Sequence, residues 1–582
     1  MDEVLRLIEE PYDSSDSETE TIQVKNIEEV IIFPPDDAND TDEDSDKEND
    51  GDLNHLSSRQ LRSQAEVVIE APEELYQNTV GESKQPARKK SKIIPRKWKN
   101  DDNYSPSFIV DEVDTNNVES MNCVETFEKV FTDEIVDFLV VMSNTYATHQ
   151  NHALNVSRSE MKVYIAILFL TGYMTPKYMR MFWEQKNDVH NKSVAEAMRR
   201  NRFMEIHQYL HTCNNHDLPE GDKFAKVTKY FDLLNDSYRR NFELILSNDV
   251  SIDETMIPYY GRHSCKQHIH GKPLRFGYKL WSACTPEGYL IQFIPYQGAH
   301  GSKLKLQAEF GLGAAVILEL LDRLPENIRY RVYCDNFFTS LPLIDKLTEM
   351  GHGCTGTIRE NRTEKCPLPG SKQMKKSTRG TVQMQVSQNL AVVQWNDNSV
   401  VTMASNIFGK NPITQVNRVG FVEKKRAKLS VPCPNIVKAY NAKMGGVDRF
   451  DQNVHSMRVS FRGKKWWYPL FAFGIDSACQ NAWKLHQKSK DSEKYTYCQF
   501  RRSIVQTYLE LHKAESKKSL DCGTKVASRV SETVRKNESV DEHVQEDCNQ
   551  RRCASCHQRT RIQCKKCKVP LHLKCWYNFH AA

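Results

Sequence analysis

In the stretch Val250-Ser251-Ile252-Asp253-Glu254 apolar and polar residues alternate, which indicates a strand with one buried face. Two further strand patterns follow at Phe276–Cys284 and Tyr289–Pro295. They flank Thr285-Pro286-Glu287-Gly288, whose proline and glycine are typical of a tight turn. This region of the chain therefore predicts three antiparallel strands, the last two joined as a hairpin.

The elements after this hairpin alternate between helix and strand. Gly311–Leu324 has a helical pattern, and the strand pattern Tyr330–Cys334 leads into Asp335. A helix at Leu341–Met350 and a strand at Cys354–Ile358 complete the series. Three antiparallel strands followed by helix, strand, helix and strand is the element order of an RNase H-like α/β fold.

Other sequence patterns precede, interrupt and follow this predicted core. Helical patterns occupy most of 119–249, including 195–210 and a helix that begins with the capping box Ser157/Glu160. A long helical segment is expected from about Met444. In chain order we expect six regions. They are a disordered acidic N-terminal region with a basic cluster at 88–99 (1–118), a helical domain (119–249), the first segment of an RNase H-like core (250–359), a β-rich insertion domain (360–432), the second segment of that core with a further helical segment (433–535), and a Cys/His-rich zinc finger (543–580).

Acidic residues stand at three apt places of this fold. Asp253 lies on the first strand, Asp335 at the end of a later strand, and Asp448 at the start of a helix. In an RNase H-like fold these places converge at one edge of the sheet, where close carboxylates need hard cations between them. Asp451, one turn after Asp448, either supports the metal or caps its helix.

Three blocks of sequence around these acids resemble the catalytic blocks of the piggyBac transposases and of the related transposable element-derived proteins. The blocks are Ser251-Ile252-Asp253-Glu254, Tyr333-Cys334-Asp335-Asn336-Phe337-Phe338-Thr339-Ser340 and Tyr440-Asn441-Ala442-Lys443-Met444-Gly445-Gly446-Val447-Asp448-Arg449-Phe450-Asp451-Gln452. Gly271–Lys279 and Arg462–Trp467 are similar as well, and the resemblance extends over roughly 120–580.

The resemblance implies a function. Asp253, Asp335 and Asp448 would bind catalytic Mg²⁺ or Mn²⁺, and Asp451 would be a further acid of the site. The implied reaction is cut-and-paste transposition, with hydrolytic nicking at element ends, hairpin formation on the excised DNA and joining to TTAA targets. The implied assembly is a homodimer on double-stranded DNA. In it 119–249 would be a dimerisation and DNA-binding domain, 250–359 and 433–535 would form the catalytic core, and the helical segment of 433–535 would also bind DNA.

Basic residues cluster after the first and the third acid. Lysine and arginine neutralise phosphates, so these residues are predicted to line a DNA groove. The candidates are Arg262, Lys266, Lys272, Arg275, Arg458, Arg462, Lys464 and Lys465. The neighbouring Trp466 and Trp467 either stack on unpaired bases or pack in the core.

The C-terminal cysteines and histidines have the spacing of zinc ligands. Pairs two residues apart favour tetrahedral Zn²⁺, and seven candidates imply two structural ions with one ligand still to be found. An interleaved cross-brace would place Cys553, Cys556, His572 and Cys575 on one ion, and Cys564, Cys567, His580 and an eighth ligand on the other. His543 is the preferred eighth ligand, because related tails carry a histidine upstream, and Cys548 and His557 are its rivals.

Charge is strongly segregated along the 582 residues. Residues 1–60 contain twenty acidic and four basic side chains, so they carry −16 within a total of +4 and the rest carries +20. Such a basic body favours a polyanionic partner, and the acidic tail is expected to tune DNA binding. The basic runs 88–92 and 96–99 indicate nuclear import or a DNA-contacting arm.

Composition excludes several classes of protein. The longest apolar stretch, 163–170, is far shorter than the roughly 20 residues of a spanning helix, and the acidic N-terminus does not resemble a signal peptide. Seventeen cysteines, six of them in the last 35 residues, favour metal ligation in a reducing compartment over disulfides. Two functions remain: an active transposase, or a domesticated DNA- or chromatin-binding protein that no longer transposes. A third possible function, as a ubiquitin ligase or histone-tail reader, is weaker, because it would leave the three acids and the basic body unexplained.

Overall fold

The computed structural model describes most of the chain. The described residues are 27–32, 65–69, 96–102, 104, 119–186, 188–268, 276–298, 304–422, 425–461, 463, 465–489, 494–520, 543–556 and 558–581. The basic run 88–92 and the candidates Lys272, Arg275, Arg462, Lys464 and His557 lie outside them. So does most of 1–118, for which disorder stays a prediction, although two short strands are described within it.

Helices dominate the two flanks of the described chain. In chain order they are α1 (Cys123–Val130), α2 (Asp133–His149), α3 (Arg158–Leu170), α4 (Lys192–Ala197), α5 (Arg200–Tyr209), α6 (Ala225–Phe242), α7 (Gln307–Phe310), α8 (Leu312–Asp322), α9 (Leu341–Glu349), α10 (Ser371–Met374), α11 (Asn435–Lys443), α12 (Gly446–Ser456), α13 (Tyr468–Lys488), α14 (Tyr497–Leu520) and α15 (Leu573–Ala581).

Strands form the centre of the fold and a small C-terminal hairpin. They are β1 (Ile27–Ile32), β2 (Ala65–Ile69), β3 (Asp249–Pro258), β4 (Lys266–His268), β5 (Phe276–Cys284), β6 (Leu290–Pro295), β7 (Arg331–Cys334), β8 (Gly353–Thr357), β9 (Val382–Ser387), β10 (Leu390–Asn396), β11 (Val400–Ser405), β12 (Thr414–Val422), β13 (Lys425–Cys433), β14 (Gln545–Arg552) and β15 (Arg559–Cys564).

The central sheet has the predicted RNase H-like order. Strand β5 pairs antiparallel with β6 and with β3, whereas β3, β7 and β8 are parallel neighbours. The hairpin between β5 and β6 turns at Gly288, which adopts a φ of +92° that favours glycine. The sheet is therefore the α/β core that the element order predicts.

The predicted insertion is partly continuous with this core. Strands β9, β10 and β11 form a meander that joins the main sheet where β11 pairs antiparallel with β8. Only β12 and β13 form a separate two-stranded sheet within the described residues of 360–432. The strand order alone could not show this, because a meander can either extend a sheet or stand apart from it.

Two predicted helix boundaries differ from the structure. The single helix expected over 195–210 is two helices, because Met198 is extended and its carbonyl accepts a hydrogen bond from Trp183 Nε1–H at 2.7 Å. The C-terminal helical segment starts earlier than Met444, since α11 begins directly after Pro434. The capping box at Ser157 and Glu160 is confirmed.

Side chains from helices complete the edge of β6. Asn235 of α6 exchanges two hydrogen bonds of 3.0 Å with the backbone of Phe293. Asn481 of α13 does the same with Leu290, at 2.8 Å each. These amides replace a further strand, so the helices are bonded directly to the core sheet.

A short basic segment covers the opposite edge of the sheet. The Arg96 side chain is 5% exposed, donates to Glu364 Oε2 at 2.7 Å and also pairs with Asp345. The backbones of Lys99 and Val386 exchange hydrogen bonds of 2.8 and 2.9 Å, which adds the segment to the edge of β9. Arg96, which belongs to the basic run predicted for nuclear import or DNA contact, thus forms ion pairs with carboxylates of the core.

The described residues form two compact units. One contains those of 1–175 and 205–506, and the other those of 176–204 and 507–582. The predicted boundaries near 249, 359 and 432 all fall inside the first unit, because α6 packs on β6 and the sheet is continuous from β8 to β11. Among the described helices, none has the length and apolar character needed to cross a membrane.

Candidate active site and Cys/His centres

The two strand-borne acids meet at one edge of the sheet. Asp253 follows Ile252, the last residue of β3 that pairs with β7, and Asp335 follows Cys334, the last residue of β7. Because the two strands are parallel neighbours, both acids directly follow the last paired residues and lie at the same edge of the sheet. A carboxylate oxygen of each lies within 4.8 Å of the other.

Backbone N–H groups orient both carboxylates. Glu254 N–H donates to Asp253 Oδ1 at 2.8 Å, and Phe337 N–H donates to Asp335 Oδ1 at 2.9 Å. Thr339 donates its N–H and its hydroxyl to the Asp335 carbonyl at 3.1 and 2.7 Å. The turn after β7 therefore holds Asp335 in place before any ligand binds.

A third carboxylate joins this pair, and it is not one of the predicted site residues. Oxygens of Asp253, Glu254 and Asp335 lie within 4.8 Å of one another, and all three side chains are half-buried. Glu254 belongs to the first of the three sequence blocks, but the sequence alone predicts no role for it. Neighbouring residues of a strand usually point to opposite faces, so the alternation along β3 does not predict that both acids reach Asp335.

The helix-borne acids lie beside this group. Asp448 is exposed in the first turn of α12, and Asp451 is half-buried one turn later. Both line a cavity of about 680 Å³ together with the end of β3 and the start of α13. Asp448 is not among the carboxylates within 4.8 Å of one another in the described residues, so the structure brings together two of the three predicted metal ligands.

The three clustered carboxylates fit a divalent cation. Oxygen ligands suit Mg²⁺ and Mn²⁺, which bind through one or two carboxylates and retain water. Asp253 and Asp335 would hold such an ion, because they are oriented by backbone N–H groups. A cation would also relieve the repulsion between carboxylates this close together.

The described basic candidates divide into two groups. Arg262 and Arg458 are exposed at the surface. Lys266 is only 7% exposed on β4, and burial, reinforced by Arg262, lowers its pKa to about 8. The Lys465 ammonium donates to the carbonyls of Gln208 and Leu210 at 2.9 and 2.8 Å.

The two hydrogen bonds from Lys465 bind carbonyls at the C-terminus of helix α5. A cation at this end of a helix stabilises the helix, so Lys465 has a structural role. Burial of Lys266 in a strand likewise leaves little of it for a phosphate. Trp467 is 1% exposed and packs in the core, whereas Trp466 stacks on His263 with ring centroids 4.1 Å apart. Arg262 and Arg458 are therefore the described candidates most accessible to DNA.

The C-terminal cysteines and histidines form two separate quartets. The ligand atoms of each quartet lie within 4.8 Å of one another. The quartets are His543, Cys564, Cys567 and His580, and Cys553, Cys556, His572 and Cys575. This is the interleaved grouping that the spacing predicts, with His543 rather than Cys548 completing the first quartet.

The spacings within the quartets suit tetrahedral zinc. His543 Nδ1 lies 3.4 Å from the sulfurs of both Cys564 and Cys567, and Cys556 Sγ lies 3.2 Å from His572 Nδ1. Ligands about 2.0–2.3 Å from a tetrahedral ion are separated by about 3.3–3.8 Å. The residues present therefore fit one Zn²⁺ in each quartet.

Second contacts fix the orientation of two histidine rings. His572 Nε2–H donates to the Arg559 carbonyl at 2.9 Å, and His580 Nδ1–H donates to the Trp576 carbonyl at 3.0 Å. Each bond leaves the other ring nitrogen to face its quartet, which is how metal-ligating histidines are usually held. Burial raises the pKa of the Cys553 thiol, but backbone N–H groups led by that of Cys556 outweigh it and bring the pKa to about 6.

Comparison with known proteins assigns the family. The model of the family described as Transposase IS4 matches residues 122–483. Human PiggyBac transposable element-derived protein 3 is 36% identical over 581 residues, covering 95% of this chain and 96% of its own length. The chain belongs to the piggyBac transposase family.

A second human member of the piggyBac family, PiggyBac transposable element-derived protein 2, is 34% identical and covers 95% of this chain and 93% of its own length. Among solved structures, the cryo-EM structure of a piggyBac transposase synaptic complex with hairpin DNA is similar with a TM-score of 0.58. It shares 21% identity and covers 79% of this chain and 96% of that one. This similarity supports the shared fold, and membership of the family confirms the resemblance stated from the sequence.

Proposed function

We propose that this chain is a metal-dependent DNA transposase that nicks element ends, forms hairpins on the excised DNA and joins the element to TTAA targets. The observation that carries the proposal is the convergence of Asp253 and Asp335, from two parallel strands, within 4.8 Å. Asp448 and Asp451 lie on the adjoining helix α12. Family membership supports the same reaction.

The chain's own residues would act by position and charge. A bound Mg²⁺ or Mn²⁺ supplies electrostatic stabilisation of the attacking and leaving oxygens of a phosphoryl transfer. Asp253 and Asp335 would hold the cation, with the N–H groups of Glu254 and Phe337 fixing their orientation. Asp448 and Asp451 would complete the site as DNA binds at the cavity that they line.

A nicking assay tests this proposal directly. Purified protein is incubated with Mg²⁺ or Mn²⁺ and DNA that carries the flanks of its own gene. We expect nicks that Asp253→Ala, Asp335→Ala and Asp448→Ala each abolish. Asp322→Ala, an exposed acid at the end of α8, serves as the matched control and should keep full activity. Activity that survives all three substitutions would refute the mechanism.

The partners and the location of the protein belong to the same proposal. The family resemblance implies double-stranded DNA as the substrate and a homodimer on two element ends. The basic runs 88–92 and 96–99 favour a nuclear location. The similar solved structure is a synaptic complex of another transposase with hairpin DNA, which supports DNA as the partner. Equilibrium sedimentation with and without element-end DNA checks the dimer, and tagged full-length protein in cells checks the location.

The Cys/His quartets are proposed to bind two structural Zn²⁺ ions. The ligand-atom spacings support this, and so does the small core around them, in which Leu571 is fully buried and Trp576 is 8% exposed. Metal analysis of the full-length protein should find two zinc ions, and Cys564→Ser should release one of them. A value of one or none in the unaltered protein would contradict the cross-brace.

The second candidate function is a domesticated DNA- or chromatin-binding protein without physiological transposition. It is favoured by the names of the human relatives, which are transposable element-derived proteins. Terminal inverted repeats with TTAA duplications beside the gene would favour the transposase. Their absence, with DNA binding but no nicking, would favour domestication.

A further inference from the structure

A buried lysine lies next to the three clustered carboxylates. Lys279 belongs to β5 and is 7% exposed as a residue. Its Nζ lies 3.5 Å from Glu254 Oε1, and the two side chains are 9% and 13% exposed. An ammonium enclosed to this degree needs a partner, because an isolated buried charge is strongly unfavourable.

Three aromatic rings complete the surroundings of this ammonium. Lys279 Nζ is 4.1 Å from the ring centroid of Trp281, 5.2 Å from that of Phe337 and 5.5 Å from that of Tyr296. All three distances are within the range in which a ring attracts a cation, and the attraction is strongest when the pair is desolvated. The rings and Glu254 therefore hold the lysine head in one place.

The residues that Lys279 contacts are those that orient the acids. Glu254 contributes a carboxylate to the cluster and also donates its N–H to Asp253 Oδ1. Phe337, whose ring faces the ammonium, donates its N–H to Asp335 Oδ1. One side chain on β5 thus connects the β3 acids with the turn that carries Asp335.

We propose that Lys279 is a positioning residue of the metal centre, which holds Glu254 as the third carboxylate beside Asp253 and Asp335. The inference rests on the proposed function for its role in catalysis, but not for the binding of the metal. The enclosed ammonium acts through Glu254 and Phe337, and not on the DNA. Removing it would let the Glu254 carboxylate turn away from its two negative neighbours.

Mn²⁺ binding to the full-length protein, loaded with zinc beforehand, tests the proposal without any turnover. Free Mn²⁺ is followed by electron paramagnetic resonance, since Mn²⁺ prefers the oxygen ligands of the acid cluster to the thiolate quartets. We expect Lys279→Met to weaken Mn²⁺ binding by about 10- to 100-fold, as is usual when a group that orients a metal ligand is lost. Lys279→Arg should restore most of the affinity, and Lys305→Met, at an exposed lysine of a surface pair, should change nothing.

A double-mutant cycle shows whether the lysine acts through Glu254. Glu254→Gln alone should weaken Mn²⁺ binding, and adding Lys279→Met to it should change the affinity less than twofold, because the shared contact is already lost. If the protein nicks DNA, Lys279→Met should lower kcat while the KM for DNA stays within twofold. A lysine that merely supported the fold would lower both and would act independently of Glu254.

Three outcomes would overturn the proposal. Unchanged or tighter Mn²⁺ binding in Lys279→Met would mean that the lysine competes with the metal. Full additivity with Glu254→Gln would mean that it acts elsewhere. If Lys279→Met does not fold, Glu254→Gln decides, since Mn²⁺ affinity equal to that of the unaltered protein would remove Glu254 from the centre. Absence of nicking by the unaltered protein would instead refute the proposed function and leave the Mn²⁺ comparison intact.

Discussion

Replacing Gly446 by alanine tests whether the seating of α12 controls the acids that it carries. Gly446 is the first residue of this helix and is buried against β3. An added Cβ would lie 3.0 Å from Ser251 Cβ and 3.1 Å from the Thr285 carbonyl carbon, and it would overlap the Thr285 carbonyl oxygen. Carbon atoms in contact prefer about 3.5–4.0 Å, so the start of α12 must withdraw by roughly 0.5–1 Å.

This displacement sets the size of the expected effect. Asp448 is two residues after Gly446 and would move with it, away from the acids on β3. A misplacement of about 1 Å costs on the order of 100-fold in rate, so we expect kcat for nicking to fall about 100-fold. Overpacking costs about 1–3 kcal/mol, so the free energy of unfolding should fall by no more than about 3 kcal/mol.

The neighbouring glycine supplies a matched control. Gly445 has a φ of −72°, and an added Cβ there would have no atom within 4 Å. Gly445→Ala should therefore keep its nicking rate and its stability. Single-turnover nicking and chemical denaturation of both variants measure the difference. Rates within threefold of each other would show that the close approach of α12 to β3 does not position the acid.

Three further predictions concern stability. The Arg501 guanidinium and the Asp476 carboxylate lie 2.8 Å apart, and both side chains are 0% exposed. Asp476→Ala leaves that buried guanidinium without its carboxylate, so chemical denaturation should show that the free energy of unfolding falls by about 3–5 kcal/mol. An equal fall in the double variant Asp476→Leu/Arg501→Met would contradict this. Burial lowers the pKa of His207 to about 4, so the unfolded state binds the proton first and stability should fall as pH drops from 6.5 towards 4. His207→Gln should flatten that dependence in denaturation midpoints. Arg96→Ala should speed cleavage of 96–104 in limited proteolysis, because it breaks both core ion pairs, whereas exposed Lys97→Ala should not.

The order of strands and helices could be predicted from the sequence because each element has its own local pattern. The alternation at 250–254 and the Pro/Gly turn at 285–288 identify β3, β5 and β6, and the structure places them where the patterns predict. From that order alone, Asp253 and Asp335 had to fall at the same edge of the sheet. The prediction needed no knowledge of side-chain packing.

The rest of the acid site depends on contacts that have no local pattern. Glu254 joins the cluster although alternation along β3 would place it on the face opposite to Asp253. Lys279 looks in sequence like any polar residue of a strand. Of the rings around its ammonium, Trp281 belongs to the same strand, whereas Tyr296 follows β6 and Phe337 lies in the turn after β7. Arg96 reads as one residue of a basic run, although its partners come from residues 249 and 268 positions away.

The two kinds of metal centre differ in how much of them the sequence determines. Each zinc quartet contains a Cys-x-x-Cys pair, so two ligands are fixed by one turn of backbone and only the pairing of pairs must be inferred. The carboxylates of Asp253 and Asp335 follow different strands, so no local spacing in the sequence fixes the distance between them. Asp448 approaches β3 through contacts such as the hydrogen bond from Ser251 Oγ to the Met444 carbonyl, which joins residues 193 positions apart. The position of Asp448 therefore depends on the packing of α12 against β3. For that reason Gly446→Ala, although it adds only one methyl group, should lower the rate of catalysis.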